Sequence, residues 1–396
     1  MRSVEEHQRV VAGLITAPPA ALVPVSAAEG LVLAADVVAP LSLPVFDNSA
    51  MDGYAVRAAD VTETPVTLPV AEDIPAGRTD RLTLEPVTAH RIMTGAPVPA
   101  GADAVVPVEA TDAGIPVVEI RSAPKPGQHI RKAGEDVAAG TRVLCAGHHV
   151  TPAALGLVAA LGIDRLAVTP RQRVLVISTG SELVPPGTPL QPGQIYESNA
   201  VMLAAAVREA GAEVTGMATC SDDVAQFRAL LDDYAGQADV VLTSGGVSAG
   251  AYEVVKDAFG SGSAVEFVKV AMQPGMPQGA GRLSDGRGII TLPGNPVSAL
   301  VSFEVFIRPA LRAAMGLPAH RPRRTAALAE ALTSPGGKRQ FRRGVYDADS
   351  GTVTSYGPPA SHHLRWLASA NCLLDIGADV TEIAAGEPVT VWDLSQ

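Results

Sequence analysis

The chain has 396 residues, of which 47% are hydrophobic and 18% charged, and its formal net charge is −11. This length corresponds to roughly two to four domains. The negative charge and an aromatic content of 4% argue against a nucleic-acid surface, which needs positive charge and stacking platforms. No apolar tract is long enough to cross a bilayer, and the first residues lack a secretory pattern. We therefore predict a cytoplasmic protein with neither nucleic acid nor membrane as a partner.

Two helices are predicted on either side of a β-rich region. Ser3 and Glu6 have the spacing of a capping box, which predicts a helix over Ser3–Ile15. A proline at a first-turn position predicts a second helix over Thr151–Leu161. Residues 41–134 are rich in Pro, Gly, Val and Thr without a helical period, so we predict a mostly β domain there. If the two helices pack together, this domain is an insertion into a discontinuous helical domain.

The segment Phe46–Val56, FDNSAMDGYAV, places carboxylate, amide and hydroxyl groups between apolar residues. Asp47 begins a run of turn formers, and Asp52-Gly53 is typical of a two-residue hairpin loop. The local pattern predicts a turn followed by a hairpin. It leaves open whether Asp52 also belongs to a functional site.

Residues 171–316 alternate strand and helix patterns, which predicts a doubly wound parallel sheet covered on both faces. Asn199 and Ser221 are the predicted N-caps of two of its helices. The region after residue 318 returns to short strands separated by turns, which predicts a small C-terminal β-barrel. The predicted strands are Arg173–Thr179, Glu213–Thr219, Asp239–Ser244, Glu266–Met272 and Gly288–Leu292, and the predicted helices are Asn199–Ala210, Asp222–Tyr234, Tyr252–Phe259 and a longer helix that follows Pro296 and ends at Gly316.

Three strands of this sheet end in unusual loops, STGSELV, SGGVSAGAYE and LPGNPVSA. Ligands of doubly wound sheets bind beyond the carboxyl ends of the strands, so the three loops should share one rim. Their glycines allow main-chain amides to approach a ligand, and the third loop opens a helix whose dipole favours an anion. We predict a phosphate or oxyanion site that is neither a Walker loop nor a dinucleotide fingerprint. Its candidate residues are Ser178, Thr179, Gly180, Ser244, Gly245, Gly246, Ser248, Pro293, Gly294, Asn295, Pro296 and Ser298.

Charged residues on or beside these loops extend the predicted site. Lys269 lies inside an apolar strand, where its charge needs either a bound anion or a route to solvent at the strand end. Glu182 and Glu253 lie on two of the loops, where they would repel an anion unless a divalent cation lay between. Mg²⁺ is the usual cation beside phosphates.

Five motifs in this order resemble a known family over essentially the whole chain: FDNSAMDGYAV, IMTGAPVP, ISTGSEL, SGGVSAG and LPGNPVSAL. The chain resembles molybdopterin molybdotransferases of the MoeA type, which are similar to the E domain of gephyrin. The resemblance implies a four-part subunit, in a homodimer whose cleft lies between the α/β domain of one subunit and the inserted β domain of the other. The implied domains are a discontinuous elongated helical domain (1–40 and 135–168), the inserted β domain (41–134), an α/β molybdopterin-binding domain (169–317) and a C-terminal β-barrel (318–396).

The implied reaction inserts molybdate into adenylylated molybdopterin, with Mg²⁺-assisted cleavage of the phosphoanhydride and release of AMP and molybdenum cofactor. Further implied partners are the molybdopterin-adenylylating enzyme and the recipient molybdoenzymes. The family's functional acids fall on Asp52, Asp136 and Glu182, and its basic strand residue falls on Lys269. Asp52 joins Glu182 and Glu253 as an expected Mg²⁺ ligand. Thr94, Ser298, Arg343 and Ser369 match the family's remaining cleft positions.

Three positions depart from the family pattern. Gln273 and Met276 stand where many relatives have lysines, and Glu253 stands where relatives often have aspartate. These changes predict weaker molybdate affinity, unless groups such as Arg131 and Lys132 compensate.

Two other functions remain open at this stage. One is adenylylation of molybdopterin, which related single-domain proteins perform with similar loops, although the inserted β domain and the barrel count against it. The other is a non-catalytic pterin-binding scaffold like the receptor-clustering role of gephyrin, for which the sequence has no long linker or extra partner domain.

Overall fold

The structure is a computed structural model that describes residues 1–246, 254–259 and 265–395. Its contacts divide the chain into two compact units. The larger unit consists of Met1–Ala21, Gly30–Val32 and Val168–Gln396, and the smaller unit of Leu22–Glu29 and Leu33–Ala167. None of the described helices is both long and apolar enough to span a membrane.

The first part of the chain is mostly β, as predicted. Its helices are α1 (Val4–Leu14) and α2 (Pro152–Ala160), and its strands are β1 (Ala21–Pro24), β2 (Val32–Leu33), β3 (Val37–Val38), β4 (Asn48–Ser49), β5 (Gly53–Val56), β6 (Val66–Ile74), β7 (Ala89–Ile92), β8 (Ala104–Pro107), β9 (Val117–Ile120), β10 (Ile130–Arg131), β11 (Arg142–Leu144) and β12 (Arg165–Thr169). The capping box at Ser3 is confirmed, since the Ser3 hydroxyl accepts from the Glu6 amide and the Glu6 carboxylate accepts from the Ser3 amide. Thr151 caps α2, and Pro152 occupies its first turn.

In the smaller unit, the described strands form a five-stranded sheet in the order β8-β5-β7-β6-β9, and β4 pairs separately with β10. The expected hairpin at Asp52-Gly53 is therefore wrong, because β5 pairs with β7 and β8 and not with β4. Gly53 is needed for a different reason. A Cβ atom there would lie 2.0 Å from the carbonyl oxygen of Val106, so the two strands approach too closely for any side chain.

The predicted α/β sheet is present in the larger unit. The strands of this part of the chain are β13 (Arg173–Thr179), β14 (Leu183–Val184), β15 (Ile195–Tyr196), β16 (Glu213–Cys220), β17 (Val240–Ser244), β18 (Val265–Lys269), β19 (Met272–Gln273), β20 (Pro277–Arg282) and β21 (Gly288–Leu292), and the helices are α3 (Asn199–Glu209), α4 (Val224–Asp233), α5 (Val254–Phe259), α6 (Pro296–Ser302) and α7 (Arg308–Ala314). Among the described residues the main sheet has the order β16-β13-β17-β21-β20-β18, and the first four of these strands are parallel. Strands β20 and β18 extend it in antiparallel fashion. The sequence analysis did not predict β20.

Two helix caps differ from the prediction. Ser198 is the N-cap of α3, where we expected Asn199, and Asp223 is the N-cap of α4, where we expected Ser221. The Asp223 carboxylate accepts the first-turn amide of Gln226 at 2.9 Å. Ser221 instead donates its hydroxyl to the Gln226 side chain.

The long helix predicted after Pro296 is interrupted by a π-helical turn over Phe303–Ile307, between α6 and α7. Pro309 explains the interruption, because it has no amide hydrogen to donate to the carbonyl of Val305 four residues earlier. That carbonyl accepts instead from the side-chain nitrogen of Gln8 in α1, at 3.0 Å. Helix α1 therefore packs against this part of the chain.

The predicted C-terminal barrel is confirmed. Its elements are β22 (Arg323–Leu328), β23 (Leu332–Thr333), β24 (Arg339–Asp347), β25 (Thr352–Ser355), α8 (Leu364–Ala368), β26 (Cys372–Ile376), β27 (Glu382–Ile383) and β28 (Pro388–Asp393). The order β24-β25-β22-β28-β26 closes on itself, because β24 also pairs with β26. The limits of the four implied domains stay a prediction.

His7 in α1 gives the protein an expected sensitivity to acid. Its ring is buried edge-on against Phe306, and burial lowers the pKa of His7 from 6.5 to about 4. As the pH falls below 6.5, His7 becomes protonated in the unfolded chain but stays neutral in the folded chain. The free energy of unfolding therefore decreases until the pH reaches about 4. We expect this residue to remove about 2 kcal/mol of stability between pH 7 and pH 5.

The measurement is urea denaturation of the wild type and of His7→Leu across this pH range. Between pH 7 and pH 5, the unfolding free energy of the wild type should fall by about 2 kcal/mol relative to that of His7→Leu. A constant difference would show that His7 accepts a proton in the folded state.

Candidate active site

The three predicted loops lie at one rim of the sheet. Strands β13, β17 and β21 are adjacent and parallel, with Ser178 opposite Ser244 and Ser244 opposite Leu292. The loop after each strand therefore leaves from the same edge. The amide of Gly245 donates to the carbonyl of Leu292 at 3.0 Å, which joins the second and third loops directly.

Gly245 lies at the centre of this rim. Its φ is +96°, and a Cβ atom there would lie 2.7 Å from both the carbonyl and the hydroxyl oxygen of Thr179. On its other side, a Cβ atom on Gly294 would be 3.6 Å from the Gly245 Cα. All three loops thus meet at main chain that carries no side chain, and glycine is required at Gly245 because its φ is positive and Thr179 fills the space of a Cβ atom.

Two residues that the sequence analysis missed connect the three strand ends. The buried carboxylate of Glu197 accepts from the Ser178 hydroxyl at 2.7 Å and from the Ala200 amide at 2.6 Å. The side-chain nitrogen of Asn199 donates to the Ser244 hydroxyl at 2.6 Å and to the Gly294 carbonyl at 2.7 Å. The sequence showed only a glutamate just before an alanine-rich helix and an asparagine at its start, and the fold is needed to show what they bind.

The start of α6 is less open to an anion than the sequence suggested. Asn295 is the N-cap, but its side-chain nitrogen donates to the Ser361 hydroxyl at 3.0 Å. The amide of Val297 donates to the Ser361 carbonyl at 3.1 Å. One first-turn amide is therefore already used, and Ser298 is buried.

Glu182 is exposed at the rim, and a Cβ atom on Gly180 would lie 2.6 Å from one of its carboxylate oxygens. Beside it, the Ser181 hydroxyl donates to the carboxylate of Asp222 at 2.8 Å, which places a second acid near the first loop. Glu253 and Ser248, two of the predicted site residues, lie outside the described residues. Among the residues that the structure describes, no three or more His, Cys, Asp or Glu side chains form a group that could hold a metal ion.

Lys269 is placed differently from the expectation. It ends β18, which is the outer antiparallel strand of the described sheet, and its side chain is exposed. The expectation that both faces of this strand are covered was wrong, so the position of Lys269 gives no reason to infer a bound anion. The Lys269 side chain instead reaches solvent at the strand end, which is the other alternative that the sequence left open.

A second group of predicted residues lies in the smaller unit. One carboxylate oxygen of Asp52 accepts from both the amide and the hydroxyl of Thr94, each at 2.7 Å. Both hydrogen bonds lower the pKa of the exposed Asp52 carboxyl, and the bond from the Thr94 amide has the larger effect. Asp52 is therefore an anion at neutral pH that Thr94 holds in one orientation.

Asp136 follows the strand that pairs with the FDNSAMDGYAV segment, since Arg131 in β10 lies opposite Asn48 in β4. Its amide donates to the carbonyl of Leu43, and its side chain is exposed. The neighbouring Lys132 is paired with Asp47 at 2.8 Å. Lys132 is one of the two cations expected to compensate for the missing family lysines, and its charge is already paired with Asp47.

The two C-terminal candidates differ in environment. Arg343 is buried, and its guanidinium donates to the main-chain carbonyls of Pro358, Ala360 and His363. Burial, with a smaller effect from Arg342, lowers the pKa of Arg343. Ser369 is exposed at the end of α8, where its hydroxyl donates to the carbonyl of Arg365 at 3.1 Å.

Comparison with known proteins identifies the family. Residues 2–162 match the MoeA N-terminal region (domain I and II), residues 175–313 match a probable molybdopterin binding domain, and residues 325–394 match the MoeA C-terminal region (domain IV). The chain is 70% identical over 406 aligned positions to molybdopterin molybdenumtransferase 2 of Mycobacterium tuberculosis strain H37Rv, with 100% of both chains covered.

The chain belongs to the MoeA family. It is also 37% identical to the molybdopterin molybdenumtransferase of Haemophilus influenzae, over 92% of this chain and 91% of that protein. The crystal structure of the MoeA protein from Pyrococcus horikosii superimposes with a TM-score of 0.81 at 30% identity, covering 99% of this chain and 98% of that one. The fold and the family relationship implied by the sequence motifs are thereby confirmed.

Proposed function

We propose that this MoeA protein is a molybdopterin molybdenumtransferase that acts in molybdenum cofactor biosynthesis. It inserts molybdate into adenylylated molybdopterin and releases AMP. The observation that carries the proposal is the meeting of three glycine-bearing loops at Gly245, beyond the carboxyl ends of adjacent parallel strands, where doubly wound sheets bind their ligands. The 70% identity to a Mycobacterium tuberculosis molybdenumtransferase supports the choice of substrate.

Asp52 and Glu182 fit a magnesium ion in their chemistry, because both offer exposed carboxylate oxygens, the ligands that Mg²⁺ prefers. Glu182, Asp52 and Glu253 are the residues that would hold it. When bound, Mg²⁺ would offset the negative charge that develops on the phosphate oxygens as the anhydride opens. The chain's own contribution is orientation, with Thr94 fixing the Asp52 carboxylate and Glu197 fixing Ser178 at the rim.

The cysteines need not bind molybdenum, because the two dithiolene sulfurs of the pterin supply soft ligands. Cys220 and Cys372 are buried, and burial raises the pKa of the Cys372 thiol to about 12. A thiol that stays protonated at neutral pH is a poor metal ligand. This environment agrees with a protein that positions the pterin and leaves coordination of the metal to it.

The test mixes the purified protein with adenylylated molybdopterin, Mg²⁺ and molybdate and measures AMP. We expect molybdate-dependent AMP release, lowered about a hundredfold in Asp52→Asn and in Glu182→Gln, because each removes one carboxylate charge from the site. Glu213→Gln is the control, since Glu213 starts β16 at the opposite edge of the sheet. Normal release by both site variants would refute the assignment of these acids, and adenylylated pterin formed from ATP would indicate the adenylyltransferase instead.

We also propose that the protein works as a homodimer with each cleft shared between two subunits. The same two variants test this. If Asp52 and Glu182 of one cleft come from different subunits, a mixed dimer of Asp52→Asn and Glu182→Gln has one intact cleft, and random exchange should restore about a quarter of wild-type activity. No recovery after mixing and subunit exchange would show that each cleft uses one chain.

The proposal also includes a cytoplasmic location and transfer between partner enzymes. The molybdopterin-adenylylating enzyme would supply the substrate, and recipient molybdoenzymes would take the product. Affinity purification of the tagged protein from the cytoplasmic fraction should recover these enzymes, and a tagged protein confined to the membrane fraction would contradict the location.

A further inference from the structure

The C-terminal barrel contacts two loops of the α/β sheet that border the proposed site. Strand β19, which carries Gln273, pairs in parallel with β24 of the barrel, with Met272 opposite Arg339 and Gln273 opposite Gln340. A small cavity of about 10 Å³ lies where these strands meet Val297 and Arg343. The barrel therefore packs against this part of the rim.

The second contact is made by the barrel segment 358–363, in which Ser361 accepts the hydrogen bonds. Ser361 accepts two hydrogen bonds from the turn before α6, one on its hydroxyl from Asn295 and one on its carbonyl from Val297. These bonds fix both the side chain of the N-cap and the first amide of the helix. The same turn carries Gly294, whose carbonyl is held by Asn199 from the opposite side.

Arg343 holds the segment 358–363 in place. Its guanidinium donates to the carbonyls of Pro358, Ala360 and His363, which lie on both sides of Ser361. Only 4% of the residue is exposed. The neighbouring Arg342 makes a different contact, because successive strand residues point to opposite faces, and it donates to the carbonyl of Thr333 at 3.1 Å.

We infer that Arg343 and Ser361 are positioning residues, which act on the substrate through the Gly294–Ser298 turn and not by touching it. The inference rests on the proposed function and specifies how the barrel contributes to it. Arg343 sets the path of residues 358–363, Ser361 sets the turn, and the turn presents its main chain to the phosphorylated pterin. All the donors that the structure shows on Arg343 are directed at carbonyl oxygens of this segment.

The first measurement is independent of catalysis. Hydrogen exchange of peptides covering residues 293–302 should speed up about tenfold in Arg343→Gln, because the Val297 amide loses its ordered acceptor. Arg342→Gln is the matched control, since it removes a half-buried arginine of the same strand that bonds elsewhere, and it should leave this exchange unchanged. Unchanged exchange in Arg343→Gln would overturn the inference whether or not the protein releases AMP.

The second measurement uses the AMP-release assay. Ser361→Ala should raise KM for adenylylated molybdopterin about fivefold, the cost of about one hydrogen bond, and Ser361→Thr, which keeps a hydroxyl, should restore most of it. The double variant with Arg343→Gln should be little worse than Arg343→Gln alone, because both residues act along one route. If Arg343 instead contacted molybdate, its variant would raise KM for molybdate only and would add fully to Ser361→Ala, and the inference would fail.

The two proposals can be told apart. A wild-type protein without molybdate-dependent AMP release would contradict the proposed function and leave the exchange result standing. A wild-type protein that releases AMP, together with the same exchange rate at residues 293–302 in both arginine variants, would contradict the inference alone.

Discussion

Replacing Gly53 with alanine should destabilise the smaller unit by about 3 kcal/mol, because the new methyl group has no space. Its Cβ atom would lie 2.0 Å from the Val106 carbonyl oxygen and 2.9 Å from the Val106 carbonyl carbon, both of them main-chain atoms of β8. Strands β5 and β8 would have to separate, and the hydrogen bonds between them would weaken. Asp52 precedes this strand directly, so its bond to Thr94 should be disturbed as well.

The measurement is chemical denaturation followed by circular dichroism, with Gly156→Ala as the matched control in the same unit. Gly156 lies in α2, and a Cβ atom there would meet nothing within 4 Å. Alanine should therefore stabilise this helix, by about 0.5–1 kcal/mol. If Gly53→Ala unfolds at the wild-type denaturant concentration, β5 and β8 are not as close as the structure shows.

Replacing Glu304 with glutamine should destabilise the larger unit by about 3–5 kcal/mol, because it removes the buried carboxylate charge that pairs with Arg321 and lies beside Arg308. The Glu304 carboxylate accepts from Nε of Arg321 at 3.0 Å and from its Nη2 at 2.9 Å. Arg308 lies 3.9 Å from the same carboxylate, and burial together with the charge of Arg321 lowers its pKa to about 10. Glu304 is thus the buried carboxylate that lies beside both guanidinium groups, while Arg321 also pairs with Glu209.

The matched control is Glu209→Gln, because Glu209 accepts from Arg321 too but is 53% exposed. Because solvent reaches the Glu209 carboxylate, this half-exposed ion pair should contribute less than the buried one, and the control should lose less than about 1 kcal/mol. The double variant Glu304→Leu with Arg321→Met should recover part of the loss, since it removes a charge from each side. Equal stability of Glu304→Gln and Glu209→Gln in urea denaturation would show that water reaches the buried site.

Elements with a strong local pattern could be predicted to the residue. Strands Arg173–Thr179 and Gly288–Leu292 have the predicted limits, since both are continuous apolar runs bounded by turn residues. Strand β20 was missed because its sequence, PQGAGR, has low β propensity. It forms because β18 and β21 supply hydrogen bonds on both of its sides, a condition that lies outside its own sequence.

In the candidate site, too, some features could be predicted from the sequence and others could not. The spacing of the five motifs was enough to indicate the family, and the order of the strands was enough to bring the three loops to one rim. The burial of Lys269 was predicted wrongly, because the sequence does not reveal that its strand lies at the sheet edge and runs antiparallel. Asp52 was a candidate from its motif, and only the structure shows that Thr94 orients it.

By itself, then, the sequence determined which residue types the site contains and which family the chain resembles, because both are encoded in short, contiguous motifs. The tertiary structure alone decided how those motifs are held. Glu197, Asn199 and Ser361 bind groups that are 19, 45 and 66 positions away in the chain. Such bonds form only when folding closes the intervening loops, and no local pattern of residues records their partners.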